Sequence, residues 1–69
     1  MRFDIYGKFQ IDVTREAETW VAYRLEPGKR IALRDFSIPE FLDEAELATY
    51  LDDIYHELGG PDDRVTQVP

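Results

Sequence analysis

Cysteine is missing from all 69 residues, which excludes disulfides, thiolate metal sites and thiol nucleophiles together. Histidine and serine occur once each, as His56 and Ser37, too few to build a serine–histidine hydrolytic pattern with conviction. No apolar run approaches the roughly 20 residues that a membrane-crossing helix needs, and no basic-then-apolar leader opens the chain. These absences lead to the expectation of a soluble, cytoplasmic protein. Gly59-Gly60 is not a phosphate loop, because a helical pattern precedes the pair instead of following it. No repeat or low-complexity tract is present.

Basic side chains nearly vanish in the second half. Residues 1–34 carry seven basic and five acidic groups, residues 35–69 one basic and ten acidic, for a net charge of −7. One reading is a solvated acidic helix face, comprising Glu44, Asp52, Asp53 and Glu57, that keeps a small domain soluble. The sharper reading is an acidic surface for a basic protein partner, or one that imitates nucleic acid. Non-specific DNA binding is disfavoured, since phosphates would meet repulsion over half the chain. A chain of this length buries only about 60% of its unfolded surface, and a stability of about 3–10 kcal/mol is expected. A partner or dimer contact would add to it.

The clearest pattern is Asp43 to Leu58. Leu47, Tyr50, Leu51, Ile54, Tyr55 and Leu58 recur at intervals of three and four, the stripe of a helix buried on one side. Asp43 with Glu46 three residues on marks the N-terminus as a capping box, with Leu42 and Leu47 placed for a hydrophobic staple. Gly59-Gly60-Pro61 predicts the stop, with a left-handed glycine.

Upstream the period is two. Phe3, Ile5, Phe9, Ile11 and Val13 hold odd positions between polar neighbours. A two-residue hairpin at Gly7-Lys8 would mix the faces, so residues 2–14 read as one long strand bent at Gly7. A second strand runs from Trp20 to Leu25, and pairing Val13 with Val21 around Glu16-Ala17-Glu18 puts Val21, Tyr23 and Leu25 inward. Glu26-Pro27-Gly28-Lys29 is a type II turn signal before a third strand, Arg30 to Arg34. Aligning Ile31 and Leu33 with Tyr23 and Leu25 requires an odd loop or a bulge there. Phe36, Ile38 and Phe41 are expected to anchor the crossing to the helix.

The fold class that follows is α+β: a three-stranded antiparallel β-meander with one C-terminal helix across one face, in a single domain over residues 1–60. Residues 61–69 read as a polar, flexible tail. A short fourth strand near Val65 is the alternative, weakened because Val65 and Val68 do not share a strand face.

One helix covers one side of the sheet. The even-numbered residues Arg2, Tyr6, Lys8, Trp20, Arg24, Arg30 and Arg34 are expected on or near the other side as a partner-binding surface. Rings interleaved with cations suit a protein interface or self-association, or a platform that stacks single-stranded bases; the bland reading is a solvated face with Trp20 under its own arginine stems. Asp52, Asp53 and His56 lie within one helical turn, so a metal cluster is conceivable, but a histidine in the last turn is also favoured by the helix dipole. No pocket context for paired carboxylates is evident. A non-enzymatic interaction module with neither metal nor cofactor is the expectation.

RFDIYGKFQ, WVAYRL and ELATYLDDIYHELGG together resemble an uncharacterised family of short bacterial proteins, a domain of unknown function, over nearly the whole chain. That resemblance implies a free-standing small protein and transfers no mechanism. AETWVAYRL followed by a hairpin and a helix also resembles the half domain of HicB-type antitoxins, which implies an acidic inhibitor of a basic partner as a further alternative. The chain departs from those proteins in lacking a recognisable DNA-binding extension, so that likeness speaks to architecture.

Overall fold

In a computed structural model covering residues 1–69, five antiparallel strands form one sheet in the order β4-β3-β2-β1-β5. The strands are β1 (Arg2–Ile5), β2 (Phe9–Glu16), β3 (Thr19–Glu26), β4 (Lys29–Ala32) and β5 (Val65–Val68). A single helix, α1 (Leu47–Tyr55), is prolonged by 3-10 turns at Glu44–Glu46 and His56–Leu58. The α+β class and the C-terminal helix are as expected; the sheet has five strands instead of three.

The first correction is at Gly7, where the expected bent strand is a hairpin. Tyr6 (φ 58°) and Gly7 (φ 72°) are both left-handed, and Lys8 N–H donates to the Ile5 carbonyl at 2.9 Å. Lys8 is an extra residue, so Ile5 faces Phe9 and Phe3 faces Ile11. The odd loop keeps parity, and the apolar set stays on one side without a continuous strand. Phe3, Ile5, Ile11 and Val13 are buried there against Leu47 and Leu51 of α1 and Ile38 of the crossing loop.

The second correction concerns β3. Its hairpin with β2 has two central residues, Ala17 (φ 50°) and Glu18 (φ 67°), with Glu16 opposite Thr19 and Val13 opposite Ala22 instead of Val21. A one-residue shift turns every side chain over. Trp20, Ala22 and Arg24 therefore lie on the helix side, and Val21, Tyr23 and Leu25 lie on the open side with Thr14, Asp12 and Gln10. The Pro27-Gly28 loop also has two residues, with Glu26 opposite Lys29 and no bulge, so Ile31 meets Arg24 and Arg30 meets Leu25. Gly28 has the positive φ that the turn signal requires.

Neither Ala17 nor Glu18 is a residue that favours its φ, and each left-handed non-glycine residue costs roughly 1–2 kcal/mol. Replacing the pair by Ala17→Asn and Glu18→Gly, the preferred turn of this type, should raise stability by about 1 kcal/mol after the entropic cost of glycine. Chemical denaturation of the double variant checks this; an unchanged or lower midpoint contradicts the turn geometry.

Residues 61–69 are not a free tail: Val65–Val68 form β5 alongside β1, with Val65 opposite Ile5 and Val68 opposite Arg2. The two valines do face opposite sides of the sheet, and each is half-buried. The helix entry is as expected, with Asp43 N–H donating to the Glu46 carboxylate at 3.1 Å. The stop differs, since Gly59 is extended (φ −98°) and not left-handed. Its requirement is space: a Cβ there would lie 3.2 Å from the ring of Tyr6.

Several expected core residues are not enclosed. Ile31, Leu58 and Phe41 are 40%, 51% and 81% exposed, while Tyr6 and Ala22 are buried. No helix is long and apolar enough to cross a membrane.

Candidate interaction surface

The seven residues expected to share the second sheet face do not share it. Arg2 and Arg30 are on the open side, and Lys8 projects from the first turn, exposed. Arg24 lies on the helix side with its guanidinium 4.3 Å from the ring of Phe9, which packs edge-on against Tyr55 at 5.4 Å. Arg34 follows the end of β4. Trp20 is on the helix side near the loop before α1, and Tyr6 is folded under the helix.

Tyr6 is bulky for a left-handed position, a conformation costing of order 1–3 kcal/mol that persists only where the surroundings hold it. Its hydroxyl donates to the Asp52 carboxylate and approaches the Asp52 carbonyl at 3.2 Å. Burial, then the hydrogen bond to Asp52, pushes the phenol pKa up to about 12. Asp52 is thus engaged inward instead of lying on a free acidic face, whereas Glu44, Asp53 and Glu57 are exposed as expected. His56 Nδ1 lies 2.9 Å from the Asp53 carbonyl. Asp52, Asp53 and His56 do not converge as a group that could hold a metal.

The open side carries its own polar network. Arg30 bonds Asp12 at 3.0 Å and lies 4.2 Å from the centre of the Tyr23 ring. Tyr23 and Thr14 donate to the Glu16 carboxylate at 3.0 and 2.7 Å. The Thr14 and Tyr23 hydroxyls hold Glu16 below its ordinary pKa, and the same bond raises Tyr23. Tyr23 is the single aromatic side chain in this register of the open face, so no row of stacking rings exists there.

A different surface emerges where β3 outruns its neighbour. β4 pairs with Tyr23–Glu26, and the last rung is Leu33 N–H donating to the Ala22 carbonyl at 2.9 Å. Alternation of the ladder turns the N–H and C=O of Trp20 outward, with no strand beside them. A groove of about 480 Å³ borders this edge, with Ala22 and Ile38 buried at its base, Trp20, Leu33 and Phe36 in its walls and Arg34 among its lining residues.

The adjoining loop is tied to β2 and β3 through the carbonyls on either side of Phe41. Arg15 donates to the Glu40 carbonyl at 2.8 Å and Trp20 Nε1–H to the Leu42 carbonyl at 3.0 Å. The Arg15 guanidinium also lies 4.8 Å from the centre of the indole. With both neighbours fastened, Phe41 is left facing solvent. Arg15, Glu40 and Phe41 escaped sequence reasoning because Phe41 resembles a core anchor; only the contacts across the fold reveal it as exposed.

These features define a small α+β module with an open sheet face, a partly free strand edge and an aromatic rim. The chain belongs to the family described as a domain of unknown function (DUF7661), which matches residues 1–69. No curated protein and no solved structure matches the chain.

Proposed function

We propose that this protein is a non-enzymatic binding module that accepts an extended segment of another protein along the free edge of β3. The observation that carries the reading is the outward-facing backbone of Trp20 beside an apolar groove. Strand addition uses this combination: main-chain hydrogen bonds supply affinity and an adjacent pocket selects a side chain. Trp20 and Arg15 are of the types enriched where binding energy concentrates, and Phe41 is of a type enriched at interfaces. Arg24 and Arg34 contribute less to this reading than a shared second face would have given them.

Selection of random peptides displayed against the folded protein tests it. Trp20 is the chain's one tryptophan, so its fluorescence should respond to selected peptides, and the amides of Trp20 and Ala22 should gain protection from exchange. Failure to select any peptide, or protection confined to other strands, would overturn the reading. Phe41→Ala should leave stability within about 0.5 kcal/mol of the parent, as an exposed substitution does. The same change should weaken a selected peptide about tenfold, roughly 1.4 kcal/mol. Equal affinity for parent and variant would remove Phe41 from the surface.

A further inference from the structure

We infer that the segment accepted at this edge is cationic, with an arginine or lysine placed against Phe41 and an apolar residue entering the groove. This rests on the docking reading above and adds the chemistry of the partner. Two hollows flank Phe41, and their charged residues are Arg15, Glu18, Glu40, Asp43 and Glu44. Four carboxylates thus stand around one exposed ring. The single cation among them is already committed to the Trp20 ring and the Glu40 carbonyl. None of the four carboxylates takes part in a salt bridge; the ion pairs of the protein are Met1–Asp12, Arg24–Glu26 and Arg30–Asp12.

Four carboxylates against the one guanidinium leave the rim with a net negative field around a hydrophobic and π-electron centre. A neutral apolar segment would use the ring and leave the field unused, and an acidic one would be repelled. A guanidinium can lie on the Phe41 face while its N–H groups reach the flanking carboxylates, combining a cation–π contact with charge-assisted hydrogen bonds. Complementary charge at a rim acts chiefly on association and on choice of partner. Arg34 at the far side of the groove gives the site polarity: the cationic part belongs toward Phe41, away from β4.

The experiment uses the full chain and the peptides selected by display at moderate salt. Enrichment in arginine or lysine next to an apolar residue is expected. Binding of one such synthetic peptide should weaken at least tenfold between low and high sodium chloride, mostly through slower association. Glu40→Lys and Glu44→Lys, both at exposed positions, should together cost a further tenfold or more at low salt without changing the fold. Neutral or acidic peptides that protect the β3 edge, with affinity indifferent to salt, would overturn the cationic assignment and leave strand docking standing. No selected peptide at all would remove both.

Discussion

Leu51→Ala should lower the free energy of unfolding by about 2–5 kcal/mol, the usual range for truncating a fully buried leucine. Leu51 is fully buried on α1, in one core with Phe3, Ile5, Ile11 and Leu47. Against a total of about 3–10 kcal/mol for a domain of this size, that loss is a large part of the whole. The informative control is Leu58→Ala. Leu58 belongs to the same apolar stripe in sequence, yet it is 51% exposed, so its removal should cost about 0.5 kcal/mol or less. Urea denaturation of the two variants ranks them directly. Comparable losses would mean that the last turn of the helix lies on the sheet after all. Should Leu51→Ala leave too little folded protein to measure, Ile11→Val, expected to cost about 0.5–1.5 kcal/mol, probes the same core from the sheet side.

The second large effect lies at alkaline pH. A phenol whose folded pKa stands near 12 against an ordinary 10 retains its proton in the native state after the unfolded chain has lost it. Linkage fixes the sign: its contribution is fully present below pH 10 and is lost as pH rises through about 12. Tyr23 and Tyr55 are shifted in the same direction, Tyr23 by its bond to Glu16 and Tyr55 by burial. The folded protein should therefore show delayed phenolate absorbance, and thermal stability should fall steeply as tyrosine begins to titrate. Tyr6→Phe should remove the latest-titrating component and flatten the alkaline fall, at the expense of some stability near neutrality. A Tyr6 phenolate appearing at the ordinary pH in folded protein would refute the enclosed Tyr6–Asp52 contact.

The helix and one side of the sheet were legible because they depend on local period. Leu47 and Leu51 are core by spacing alone, and Phe3, Ile5, Ile11 and Val13 are core by alternation. What escaped was parity across turns. Ala17-Glu18 gives no glycine or asparagine signal for the tight turn it forms, so the sequence favours a longer loop there and the opposite facing of β3. Trp20 and Arg24 crossed to the helix side as a result, and the candidate surface moved with them. At Gly7 the error was milder, because Lys8 as an extra residue restored the original parity. β5 was obscured for a different reason. An edge strand with one valine toward each side has no apolar face to display in sequence, and its position depends on a partner more than fifty residues away.

That last pairing has a temporal meaning. Of the five strands of this sheet β1 comes first in the sequence, and its outer edge is closed by Val65–Val68, the fifth. During translation β1 and β2 can form their hairpin early, but one row of β1 backbone groups stays unmatched until β5 has emerged. A nascent chain would thus carry an adhesive strand while the residues between β1 and β5 are made, and the time taken to reach β5 would set how long that exposure lasts.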